Sequence, residues 1–183
     1  RPNAPNDIPI RKDGEVSFTD PAFGYPQDSR EFNFFGVFHI SRKGEVEVIA
    51  KPKGRPNGVA LSASGKTLYV SNSDERNIRS YDLDKNGNAS NERVVLSGID
   101  GVPDGIRLDE QGNLYVAAEG LAVYSPDGKP LLTMPLSEKP SSCAFGDADL
   151  QTLYITARRS VYLVRLTGNG LPPSYPRNHP RPH

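Results

Sequence analysis

Tryptophan is absent from this sequence, and cysteine and methionine occur once each, as Cys143 and Met134. A lone cysteine excludes an internal disulfide and any multi-cysteine zinc site. Lysine plus arginine equals aspartate plus glutamate at 22 each, so no net charge of either sign draws the chain to nucleic acid or an anionic membrane. No apolar run approaches the ~18 residues of a membrane span, and no signal-peptide pattern is present. Gly-x-Ser-x-Gly does not occur, which disfavours an α/β-hydrolase. No stretch of ten residues carries a 3.6-residue apolar period, so no amphipathic helix is expected.

Glycine and proline are abundant instead, at 17 each. They punctuate short apolar runs of period two, such as Val37 to Ile40, Leu68-Tyr69-Val70, Leu114-Tyr115-Val116 and Val161 to Val164. β-Branched and aromatic residues fill these runs, and turns such as Lys43-Gly44, Asn86-Gly87 and Gln111-Gly112 bound them. The pattern predicts an all-β chain of short antiparallel strands.

The strands repeat. Pro5-Asn6-Asp7 recurs as Pro56-Asn57-Gly58 and Pro103-Asp104-Gly105, with Ser141-Ser142-Cys143 as a degenerate copy aligned on Ser142. The intervals between Asn6, Asn57, Asp104 and Ser142 are 51, 47 and 38 residues, but the distance from each to a downstream aromatic is 12, 12, 11 and 12. Fixed inner spacing on variable outer spacing marks a rigid hairpin carried on loops of different length. Repeats of this size with four strands predict a β-propeller, about four blades of an expected six, over residues 1–170. The innermost strands line a central channel, which brings residues ~50 positions apart into one ring at its end. Residues 171–183 contain five prolines and no core pattern, and read as a tail.

Two motifs resemble other chemistry. Gly65-Lys66-Thr67 fits a relaxed phosphate loop, but Leu68-Tyr69-Val70 follows it as a strand where a helix is needed. Asp82 to Asn88 resembles the start of a calcium loop, yet Arg93 stands where the twelfth-position Glu belongs. Both read as hairpin turns. Cys143 is expected to point away from the channel, and none of the three histidines falls on the ring. What the ring offers is oxygen: the amides of Asn6 and Asn57 and the carboxylate of Asp104. Hard oxygen donors suit Ca²⁺ or Mg²⁺, with Mn²⁺ next. A second carboxylate is expected beside them, with Asp7 and Asp20 as candidates. Such a site polarises a carbonyl, and Asp104 can serve as general base for an attacking water.

Taken together, Pro5-Asn6-Asp7, Phe18-Thr19-Asp20-Pro21 with Gly24-Tyr25, Arg55 to Gly58, Leu68 to Asn72, Val102 to Gly105, Asn113 to Ala117 and Cys143 to Gly146 resemble the gluconolactonase/senescence-marker-protein/luciferin-regenerating-enzyme family. The resemblance runs from about Pro5 to Leu166. It implies a six-bladed propeller that hydrolyses a small-molecule lactone with a divalent metal, calcium first and Mg²⁺, Mn²⁺ or Zn²⁺ as alternatives. It further implies Asn57 and Asp104 as metal ligands, Asp104 as base and Asn6 as a substrate contact. The family's acidic ligand, a Glu in a Glu-Gly-Pro type segment, has no counterpart here. Six blades of ~45 residues need about 270, so two N-terminal blades are expected to lie outside this sequence. If the protein is instead a natural short form, its exposed blade edges make self-association an expectation. The contrasting expectation is a noncatalytic binding module, displaying Phe32, Phe34 and Phe35 on one rim.

Overall fold

The computed structural model describes residues 2–24, 26 and 29–172. Among these, fourteen strands form four antiparallel sheets, each a meander of sequence neighbours. The first sheet holds β1 (Val16–Asp20), β2 (Gly36–Ile40) and β3 (Val46–Ala50). The second holds β4 (Pro56–Leu61), β5 (Thr67–Asn72), β6 (Asn77–Leu83) and β7 (Ala89–Leu96). In the third are β8 (Ile106–Leu108), β9 (Leu114–Ala117), β10 (Leu121–Tyr124) and β11 (Pro130–Met134). The fourth comprises β12 (Pro140–Gly146), β13 (Thr152–Ala157) and β14 (Val161–Arg165). Four propeller blades are the result, as the repeat predicts.

Period-two alternation explains how the blades pack. In β5, Leu68 and Val70 face blade 1 and join Val37, Val59, Tyr81 and Leu83, while Tyr69 packs on the opposite side with Ile78, Ile106 and Val116 of the second seam. Blade 3 repeats this, sending Leu114 and Val116 to blade 2 and Tyr115 and Ala117 to Cys143, Leu153 and Ile155 of blade 4. Middle blades are therefore apolar on both faces, which is why their strands read as nearly continuous apolar runs. Each fully buried Leu or Val at a seam contributes ~1.5–3 kcal/mol. At the two ends of the arc the apolar side chains are exposed: Ile8 and Val46 in the first blade, Val161 and Leu163 in the last.

Each repeat motif is a β-bulge. In blade 1, the Asn6 N–H donates to the Thr19 carbonyl (2.9 Å) and the Thr19 N–H donates to the Asp7 carbonyl (3.2 Å), so two residues oppose one. The Asp104 N–H donates to the Ala117 carbonyl and the Ala117 N–H to the Gly105 carbonyl, the same arrangement in blade 3. Register shifts between Pro56 and Val59, and between Pro140 and Ser142, place the equivalent bulges in blades 2 and 4. The fourth copy is thus Pro140-Ser141-Ser142, one residue earlier than the sequence alignment puts it. Ser141, not Ser142, stands in the ring position. Proline preceding each bulge is the marker that aligns all four.

The first copy also corrects a simple strand count. Residues 6–10 run along β1 as the innermost strand of blade 1, held by the Ser17 N–H on the Pro9 carbonyl and by an Ile10–Val16 bridge. Their entry is fixed by Asp20, a fully buried carboxylate that accepts the N–H groups of Asn3 and Ala4, both at 2.7 Å. Asp20→Ala strands those two donors, at ~1–3 kcal/mol each. Amide hydrogen exchange at residues 3–10 should accelerate well before the seams of blades 2 and 3 open; unchanged protection there contradicts this role for Asp20.

Candidate functional site

The four bulges lie at one end of the channel, and glycine is what lets them meet. A Cβ on Gly58 would lie 2.3 Å from the Asp104 carbonyl oxygen and 2.7 Å from the Gly105 Cα. On Gly105 it would lie 2.3 Å from the Ser142 Oγ. Successive motifs therefore stack backbone on backbone. Hydroxyls on the second strand of one blade tie down the motif of the next: Thr19 Oγ1 donates to the Asn57 carbonyl (2.6 Å), and Ser71 Oγ to the Asp104 carbonyl (2.7 Å). Ala117 occupies the corresponding place in blade 3 and breaks the ladder.

Asn57 is buried, and its Nδ2 donates to Ser73 Oγ at 3.1 Å. Its Oδ1 is equally buried and has no partner. An unpartnered buried carbonyl costs ~1–3 kcal/mol unless something polar or cationic meets it. Beside it, burial pushes the Asp104 carboxyl up to about 6, and the Asp7 carboxylate adds to the shift, against hydrogen bonds from Asn57 and the Gly105 N–H and the charge of Lys139. The structure thus brings Asn57 and Asp104 together. Asn6, by contrast, is held through its backbone N–H on the Thr19 carbonyl and is exposed.

The two carboxylates considered from sequence as extra ligands are already engaged. Asp7 accepts the Val59 N–H (3.0 Å) and the Ile8 N–H, and pairs with Arg107 at 3.2 Å. Asp20 holds the N-terminal segment. Among the described residues no group of three or more His, Cys, Asp and Glu side chains could hold a metal ion. The pair present nonetheless suits a hard dication: an unpartnered amide oxygen next to a carboxyl that burial and the Asp7 charge hold above its ordinary value. These are two of the six to eight oxygens such an ion takes; water can supply others.

A carboxyl raised from its ordinary value of 3.8 to about 6 weakens the metal-free fold once ionised. The group's favourable contribution is complete below pH 4 and lost as pH rises through 6. Asp104→Asn should therefore stabilise the metal-free chain above pH 6, by of order 1 kcal/mol after solvent screening of this partly exposed group. Urea midpoints at pH 4 and pH 8 check this; equal midpoints at pH 8 contradict it.

The look-alike motifs resolve as turns. Ser62 to Thr67 closes a hairpin, with the Ser62 N–H on the Thr67 carbonyl. Asp84 spends its carboxylate on the Asn86 and Asn88 N–H groups and on Asn88 Nδ2. Cys143 is buried in the seam of blades 3 and 4, where burial pushes its thiol up to about 12. Phe32 and Phe34 meet at a tilt and each stacks on Phe38 of blade 1, while Phe35 lies under the Arg30 guanidinium. Of the expected tail, Leu171 and Pro172 border a cavity of about 330 Å³ along the innermost strands, and the rest lies outside the described residues.

Residues 1–159 match the family described as the SMP-30/Gluconolactonase/LRE-like region. The chain belongs to this family. It is 39% identical over 180 residues to a gluconolactonase of Zymomonas mobilis, covering 89% of this chain and 50% of that protein. A pentonolactonase of Haloferax volcanii is 32% identical over 127 residues, covering 66% and 44%. The solved gluconolactonase from Xanthomonas campestris superposes with a TM-score of 0.82 at 31% identity, over 91% of this chain and 58% of its own. A regucalcin from Agrobacterium tumefaciens, at 19% identity and TM-score 0.76, shares the fold. The chain spans about half the length of the curated relatives it matches.

Sequence reasoning missed Thr19, Ser71 and Ser73, which fix the motifs from the neighbouring strand and turn. Thr19 and Ser71 left one trace, a hydroxyl recurring opposite three of the four bulges, at Thr19, Ser71 and Thr156.

Proposed function

We propose that this chain carries the reaction centre of a divalent-metal lactonase acting on sugar lactones. The observation that carries the reading is the buried, unpartnered Oδ1 of Asn57 beside the raised carboxyl of Asp104. Kinship with a gluconolactonase and a pentonolactonase supports the substrate class. Asn57 and Asp104 would hold the cation, calcium first, which when bound supplies Lewis acidity toward a lactone carbonyl.

Asp104 is the base. Its ionised carboxylate takes a proton from a water whose oxygen bonds to the lactone carbonyl carbon. The ring C–O bond then breaks, and the leaving oxygen recovers a proton, so lactone plus water becomes a hydroxy acid. Burial raises the proton affinity of Asp104, which favours abstraction near neutral pH. Asn6, which is exposed, would meet substrate hydroxyls. Arg107 pairs with Asp7 at 3.2 Å and donates to the Ile106 carbonyl, which holds the Asp7 carboxylate in place.

Hydrolysis of glucono-1,5-lactone, followed by acid release above the spontaneous rate, tests the reading. Turnover that EDTA removes and Ca²⁺ restores is expected. Absence of turnover by the whole protein with Ca²⁺, Mg²⁺, Mn²⁺ and Zn²⁺ in turn would overturn it.

A further inference from the structure

The metal reading leaves open what makes Asn57 present oxygen rather than nitrogen. A carboxamide has nearly equal bulk at both ends, so only its hydrogen-bond partners choose between them. We infer that Ser73 is the positioning residue that makes this choice, and that it couples the Asn57 bulge to the Asp104 bulge. The inference rests on the proposed role of Asn57 as a cation ligand.

Three contacts of Ser73 carry the argument. Its N–H donates to the Arg55 carbonyl at 2.9 Å, which seats the start of the β5–β6 turn against the strand entering the Asn57 bulge. Its Oγ–H donates to the Pro103 carbonyl at 3.0 Å, the residue before Asp104. Its Oγ accepts from Asn57 Nδ2 at 3.1 Å. A serine hydroxyl has a single proton, and a carbonyl can only accept. That proton is therefore committed to Pro103, and what Ser73 turns toward Asn57 is a lone pair. Only the NH₂ end of the carboxamide can face it, and the Asp104 carboxylate, which also accepts from Asn57, favours the same end. The reversed amide would set oxygen against oxygen in a site where Ser73 is 5% exposed and Asn57 no more so.

Oδ1 is consequently left on the side with no protein donor, which matches its being buried and unpartnered. The same hydroxyl fixes the distance between the two bulges, because it touches the side chain of one and the backbone of the other. Arg55 reinforces the turn through its N–H and guanidinium on Asp74, at 2.9 Å in each case. Partners of this kind commonly contribute 10–100-fold to metal affinity without touching the ion.

The test uses the full chain, ¹⁵N-labelled and metal-free, with the Asn57 carboxamide signals assigned by their loss in Asn57→Ala. One Nδ2 proton should exchange at least tenfold more slowly than those of the exposed Asn6 carboxamide. Ser73→Thr, which keeps the hydroxyl, should retain that protection, and Ser73→Ala should lose it. Calorimetric titration with Ca²⁺ should then show Ser73→Ala weakened ~10–100-fold and Ser73→Thr nearer the parent. Fast exchange of both protons in the parent chain overturns the inference, and needs no variant to fold. Unchanged protection in Ser73→Ala overturns it as well. Protection that follows the hydroxyl in a chain that binds no Ca²⁺ upholds Ser73 as the residue that orients the carboxamide and overturns the cation reading alone.

Discussion

Asp104→Asn is expected to lower metal-dependent lactone hydrolysis by ~10³-fold or more while leaving the fold intact. The substitution preserves volume and keeps an oxygen for the Gly105 N–H, but removes the carboxylate that adjoins Asn57. General-base catalysis alone is worth ~10²–10⁴-fold, and a ligand's charge is lost with it. The metal-free chain should at the same time become more stable above pH 6, because a half-buried negative charge near Asp7 is gone. Lost activity with gained stability is the signature of a site held at a cost to the fold. Initial rates with saturating Ca²⁺ and a urea titration of the same sample measure both. Turnover unchanged from the parent would remove Asp104 from the chemistry.

Gly58→Ala is the second large effect, and it is a matter of space. The new methyl would sit 2.3 Å from the Asp104 carbonyl oxygen, 2.7 Å from the Gly105 Cα and 2.8 Å from the Ile106 N. All three obstacles are backbone, so no rotamer change relieves them. Blades 2 and 3 must separate at the bulge, breaking the Ser71 bond to the Asp104 carbonyl. A cost of ~2–3 kcal/mol and a fall in Tm of roughly 5–10 °C are expected. Activity should drop ~10²-fold even in the folded fraction, since a shift near 1 Å suffices to misplace a catalytic group. Gly168→Ala is the control: its nearest neighbour, Gln111 Oε1, is 3.6 Å away, an ordinary contact. Calorimetric Tm values that coincide for the two variants would contradict the stacking argument.

The legibility of the site follows from what kind of signal each residue leaves. Asn57 and Asp104 stand after proline and before glycine, and the recurrence of that triplet is visible without coordinates. In the fourth triplet, Pro140-Ser141-Ser142, both later positions are serine, so an alignment on sequence alone falls one residue late. Only the register of β12 on β13 separates them. Asp7 and Asp20 could not be sorted by inspection, since a carboxylate near a metal site and one capping backbone N–H groups look alike in a sequence. The structure spends Asp7 on Val59 and Arg107, and Asp20 on Asn3 and Ala4. Ser73 left no signal at all, because its partners lie 16 and 30 residues away and on different blades.

From the lone cysteine, the short apolar runs of period two and the missing helical period, the sequence by itself determined an all-β chain without an internal disulfide. Its proline-led repeats determined that four equivalent hairpins converge on one ring. These are local properties, carried by side-chain alternation and turn chemistry within about fifteen residues. Tertiary structure decided which oxygens in the ring are spoken for and which are not. That depends on seams between blades, where Gly58 admits its neighbour's backbone and one hydroxyl of Ser73 chooses the face that Asn57 presents. Such choices are made by contacts across tens of residues, and no local pattern encodes them.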